Sequence, residues 1–75
     1  MSIKCNLSIL MGGTRVTITK LSEETGLSRN TISALYHEKA KGVEFSTMIK
    51  LCEYFDCPVG VLFQIEKEGK KNEQQ

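Results

Sequence analysis

Apolar residues recur at helical spacing through most of this chain. Leu7, Leu10 and Met11 stand at i, i+3 and i+4, a stripe for a first helix of about two turns that Gly12-Gly13 ends. Thr17 is placed to cap a second helix whose inward positions are Ile18, Leu21, Ser22 and Thr25, with Gly26 as its stop in the left-handed conformation that glycine adopts without a side-chain clash. Leu27 fills the turn. Ser28 caps a third helix to about His37, with Ile32 and Leu35 inward and Arg29, Asn30, Thr31, Ser33 and Ala34 outward. Glu38 to Glu44 contains Gly42 and two lysines and reads as a loop. A fourth helix starts near Ser46 and carries Met48, Leu51, Cys52 and Phe55 at i, i+3, i+4 and i+7, and Pro58 suits the first turn of a short fifth helix through about Leu62.

The ends follow a different period. Ile3 to Cys5 and Phe63 to Glu66 alternate apolar with polar, the pattern of half-buried strands that pair as an antiparallel ribbon. The expected fold is all-α: five helices including a helix-turn-helix, with a short terminal two-stranded ribbon. A domain over residues 1–67 is followed by a polar tail at 68–75, which has no apolar residue and is expected to be disordered.

A length of 75 residues leaves room for one domain. The opening Met-Ser-Ile-Lys-Cys-Asn has no signal-like apolar run and no stretch is long enough to span a bilayer, so a cytoplasmic location without membrane contact is expected. Cys5, Cys52 and Cys57 match neither redox nor zinc-ligand spacing. All three read as reduced, with Cys52 a small core residue on the fourth helix. The net charge of +1 divides unevenly along the chain. Through Lys41 six basic residues face three acidic ones, whereas from Gly42 onward four face six, an asymmetry that suits one face meeting a polyanion.

The segment Thr17-Ile-Thr-Lys-Leu-Ser-Glu-Glu-Thr-Gly-Leu-Ser-Arg-Asn-Thr-Ile-Ser-Ala-Leu-Tyr-His37 has residues of the right kind for a helix-turn-helix at each structural position. Ser22 is small where the third helix crosses the second, Gly26 makes the turn, and Leu27, Ile32 and Leu35 fill the wedge between the helices. The segment resembles the helix-turn-helix of the phage repressor and Cro family, also called the xenobiotic-response-element type, and the resemblance extends from about Ile3 to Ile65. It implies a DNA-binding transcriptional regulator. The family's base-reading positions fall on Arg29, Asn30, Thr31, Ser33 and Ala34; arginine pairs with the O6 and N7 of guanine, asparagine with the N6 and N7 of adenine. Ser28 matches a phosphate contact at a helix N-terminus, and His37, Lys39 and Lys41 match the stretch that family members lay against a second length of backbone.

The chain departs from the family pattern at Ile18, where glutamine commonly braces a phosphate; Thr17 or Thr19 is left to offer a hydroxyl, and Ile18 to meet sugar or methyl groups. Ala34 cannot hydrogen-bond a base but can pack on a thymine methyl.

Each of these residues also has a purely structural reading. Arg29 and Asn30 would serve as a solvated helix N-terminus, Tyr36 as a cover for the core, and His37 as a surface residue, since no other histidine or clustered ligand accompanies it. Two functions stand side by side: a sequence-specific regulator of duplex DNA acting as a repressor, and a helix-turn-helix used as a protein-interaction module such as an antitoxin or adaptor. No nucleophile, paired carboxylates or phosphate loop suggests an enzyme, and no cofactor, metal or small-molecule ligand is evident. A single recognition helix reads few base pairs, so a homodimer is expected, with Pro58, Val59, Leu62 and Phe63 as its contacts.

Overall fold

The computed structural model describes residues 2–66. In chain order they form β1 (Ser2–Cys5), α1 (Leu7–Thr14), α2 (Ile18–Thr25), α3 (Arg29–Tyr36), α4 (Phe45–Phe55), α5 (Val59–Leu62) and β2 (Phe63–Glu66). The tail expected at 68–75 lies outside the described residues. Each helix contributes one fully buried aliphatic side chain to a shared centre: Leu7, Leu21, Ile32, Leu51 and Leu62. Cys5, Met11 and Leu35 extend this core, and Val16, Ile18, Leu27, Cys52 and Phe55 close over it.

β1 and β2 pair antiparallel, with Ile3 opposite Ile65 and Cys5 opposite Phe63. This is the terminal ribbon that the alternating pattern implied. The Asn6 amide donates to the Leu62 carbonyl at 2.8 Å and its side-chain amide to the Val61 carbonyl at 3.0 Å, so the strand ends are tied to α5. Cys5 is the buried thiol of the three, and Cys52, expected in the core, is only half-buried.

Helix ends differ from the glycine-based expectation. α1 runs through Gly12-Gly13 and stops where Arg15 turns left-handed at φ 58°. There the Arg15 amide donates to Gly12 at 3.3 Å and the Val16 amide to Met11 at 3.0 Å, the pair of bonds of a Schellman closure. This closure turns Val16 back onto the core. α3 closes the same way with Glu38 left-handed at φ 57°, its amide on Leu35 at 3.2 Å and the Lys39 amide on Ala34 at 2.8 Å. α4 repeats it at Asp56. Only α2 ends on glycine, at Gly26 with φ 79°.

α4 begins at Phe45, and Thr47 rather than Met48 joins Leu51 as a buried residue of that helix. Pro58 stands just before α5 with extended backbone instead of inside its first turn.

Candidate nucleic-acid interface

Among the helices, α2 and α3 share the most extensive contact, and the turn between them is held by hydroxyls. Thr17 caps α2, its Oγ1 accepting the Lys20 amide at 3.1 Å. At the other end the Ser22 hydroxyl donates to the Leu27 carbonyl; Thr25 Oγ1 donates to the Leu21 carbonyl at 2.7 Å and accepts the Leu27 amide at 3.2 Å. These bonds hold both the amide and the carbonyl of Leu27, which fixes the direction in which α3 starts.

Ser28 caps α3 in extended conformation. Its Oγ accepts the Thr31 amide at 3.1 Å and donates to Thr31 Oγ1 at 2.8 Å. The first-turn amides of Arg29 and Asn30 come before the intrahelical ladder begins and project from the helix end. Both side chains are exposed, and the first turn holds no acidic residue. A cation there opposes the helix dipole, which favours anions at the N-terminus.

The other expected base-reading residues are less open. Thr31, Ser33 and Ala34 are half-buried, and Thr31 and Ala34 line a crevice against Ala40, Gly42, Val43 and Thr47. The Ala34 carbonyl accepts the amides of Lys39 at 2.8 Å and Ala40 at 3.2 Å, which folds the following loop back along α3. Lys39 and Lys41 are exposed on that loop, and His37 is exposed at the end of α3 with its ring edge-on to Tyr36 at 5.0 Å. Arg29, Ser33 and Tyr36 recur at i, i+4 and i+7, so Tyr36, at 36% exposure, extends the open face by a turn. Ile18 is half-buried and packs on the core, while Thr17 is exposed beside it.

Three side chains outside the expected DNA-binding set brace α2. Glu24 accepts the Tyr54 hydroxyl at 2.6 Å and pairs with Lys20 at 3.0 Å, linking α2 to α4. The Tyr54 hydrogen bond, then Lys20, holds the Glu24 carboxyl below its ordinary value, and the same bonds raise Tyr54 and Lys20. Their signal lay in the i, i+4 spacing of Lys20 and Glu24; the reach to Tyr54 across 30 positions had none in the chain order.

An apolar surface remains open along α4, α5 and the ribbon. Phe45 is 80% exposed and Ile49 55%, and with Met48, Cys52, Pro58 and Val59 they line a groove between α4 and α5. Ile3 and Ile65, 65% and 69% exposed, stand on the overhanging ribbon beside Val59 and half-buried Phe63. Leu62 is fully buried and is therefore removed from the expected partner contacts; it serves the core instead.

Among the described residues no group of three or more potential metal ligands occurs, and no helix is long and apolar enough to cross a membrane. Comparison with known proteins agrees with the architecture of α2 and α3. Residues 6–68 match the model of the Cro/C1-type HTH DNA-binding domain. The chain is 26% identical over 68 residues to an uncharacterized HTH-type transcriptional regulator of Bacillus subtilis (strain 168), YozG, covering 91% of this chain and 81% of the relative. With its capped α3 laid across α2 and a family match over most of its length, the chain belongs to the Cro/C1-type helix-turn-helix DNA-binding domains.

Proposed function

We propose that this protein is a cytoplasmic repressor that reads an inverted-repeat operator as a symmetric homodimer, with α3 of each copy in the major groove. The observation that carries this reading is the placement of Arg29 and Asn30, exposed on the first turn of α3 where a cation weakens the helix and a carboxylate would strengthen it. A position that costs stability and offers bidentate base contacts is best understood as a reading position. Lys39 and Lys41 continue the cationic surface on the loop that Ala34 holds against α3 and, with His37, supply contacts to phosphate. Ser33, Thr31 and Ala34 lie deeper and meet the bases after the first turn is seated; Ser28, Thr17 and Ile18 face sugar and phosphate.

Self-association is supported by the exposed apolar band of Pro58 and Val59 with Phe45 and Ile49, flanked by half-buried Phe63, which a second copy covers. Repression requires only occupancy: a dimer seated on promoter DNA blocks access by polymerase. Selection of bound duplexes from a random pool tests the reading. Enrichment of an inverted repeat with half-sites roughly 34 Å apart is expected, and recovery of no sequence preference would overturn it.

A further inference from the structure

The C-terminal closure of α4 brings two cysteines together. With Asp56 left-handed at φ 53°, the Asp56 amide donates to the Glu53 carbonyl at 3.3 Å and the Cys57 amide to the Cys52 carbonyl at 3.0 Å. In such a closure the side chains at the two ends of the six-residue loop meet, usually as an apolar pair. At the end of α1 those places are taken by Met11 and Val16; at the end of α4 they are taken by Cys52 and Cys57. Both cysteines are half-buried and line the same open groove, so a small oxidant reaches them from solvent. Burial first, and then the neighbouring Cys52, pushes the Cys57 thiol up. The backbone bond from Cys57 to Cys52 and the shared groove bring the two residues together before any chemistry occurs. A disulfide asks for Cβ atoms about 3.5–4.5 Å apart, a separation served by a chain that doubles back through one left-handed residue.

We propose that Cys52 and Cys57 form a reversible oxidation site that a hydroperoxide converts to an intrachain disulfide. The thiolate of one cysteine attacks a peroxide oxygen, the O–O bond breaks, and a sulfenic acid and hydroxide result. The second thiolate then attacks the sulfenic sulfur, the S–S bond forms, and hydroxide leaves. Two thiols and hydrogen peroxide give one disulfide and two waters; the two electrons lost by sulfur reduce the peroxide. The bond ties the last turn of α4 to the residue preceding Pro58 and so fixes how the chain enters α5. Cys5 is the internal control: it is buried at 7% exposure, its amide donates to Glu38, and it does not line that groove.

The test uses the full chain. The reduced protein is treated with hydrogen peroxide, quenched, alkylated, digested and read by mass spectrometry. Expected are a peptide crosslink between Cys52 and Cys57, full alkylation of Cys5, and restoration of both free thiols by dithiothreitol. Cys52→Ser and Cys57→Ser each abolish the crosslink and leave the remaining partner as a sulfenic or higher acid. Full alkylation of Cys52 and Cys57 after peroxide, or crosslinks only between chains or to Cys5, would overturn the proposal. The readout is covalent and independent of DNA, so it stands or falls apart from the operator reading.

Discussion

The Glu38 carboxylate accepts the backbone amide of Cys5 at 3.1 Å, joining β1 to the residue that closes α3. Glu38 is also one of three non-glycine residues held left-handed among the described residues. Its position turns a negative charge between the recognition helix and the lysine loop toward the ribbon, where it completes an otherwise unmatched strand amide. Replacing Glu38 with alanine is expected to cost about 1 kcal/mol in urea unfolding, the net worth of one partly buried hydrogen bond, whereas Glu38→Gln retains an acceptor and loses less. Equal losses for the two variants would show that charge, not the hydrogen bond, matters there.

Arg29→Ala and Asn30→Ala are each expected to weaken operator binding by roughly 1–3 kcal/mol per half-site and to relax preference at one base position. Because Arg29 opposes the α3 dipole, Arg29→Ala should leave thermal stability unchanged or raised. Loss of binding accompanied by loss of stability would mean that Arg29 serves the fold.

Lys39→Ala and Lys41→Ala are expected to act on operator and scrambled duplexes alike. Each should flatten the dependence of log K on log salt by about 0.9 for the phosphate contact removed. A salt titration on both duplexes separates this class from the base-reading class.

Asp56→Gly is expected to stabilise the protein by about 0.5–1 kcal/mol, since glycine carries no penalty in the left-handed conformation at φ 53° and the change removes a negative charge from the C-terminus of α4. In a chain of this size that raises Tm by a few degrees in a thermal scan.

The Lys20–Glu24–Tyr54 link gives a pH dependence with two edges. Glu24 has a lowered value in the fold, so its contribution is present above its unfolded value near 4.5 and is lost as pH falls through the depressed one. Tyr54 and Lys20 are raised, so their contributions are complete below about 10 and are lost as pH rises through the elevated values. Tyr54→Phe should flatten both edges of the stability profile, and all three groups lie at the surface, so high salt should weaken the Lys20–Glu24 part.

Val59→Asp places a charge on the open apolar groove and is expected to leave helical circular dichroism intact while shifting sedimentation to monomer. A wild-type protein that remains monomeric at high concentration and on DNA removes the dimer from the proposed function.

The apolar spacing of Leu21, Ile32 and Leu35 and the caps Thr17 and Ser28 determined the helix-turn-helix and its order, because helical period and capping are local properties. The alternation at both ends likewise set the ribbon, through strand period alone. Three matters were decided only by tertiary packing. The first helix ran past Gly12-Gly13 and stopped at Arg15, because Val16 had to fold back onto the core, and that gain outweighs the left-handed penalty. Leu62 was drawn into the centre and Phe45 left outside, since which side of a short helix faces the core depends on the helices around it. Cys52 and Cys57, unremarkable in their spacing, met across a helix end whose reversal is visible only in three dimensions.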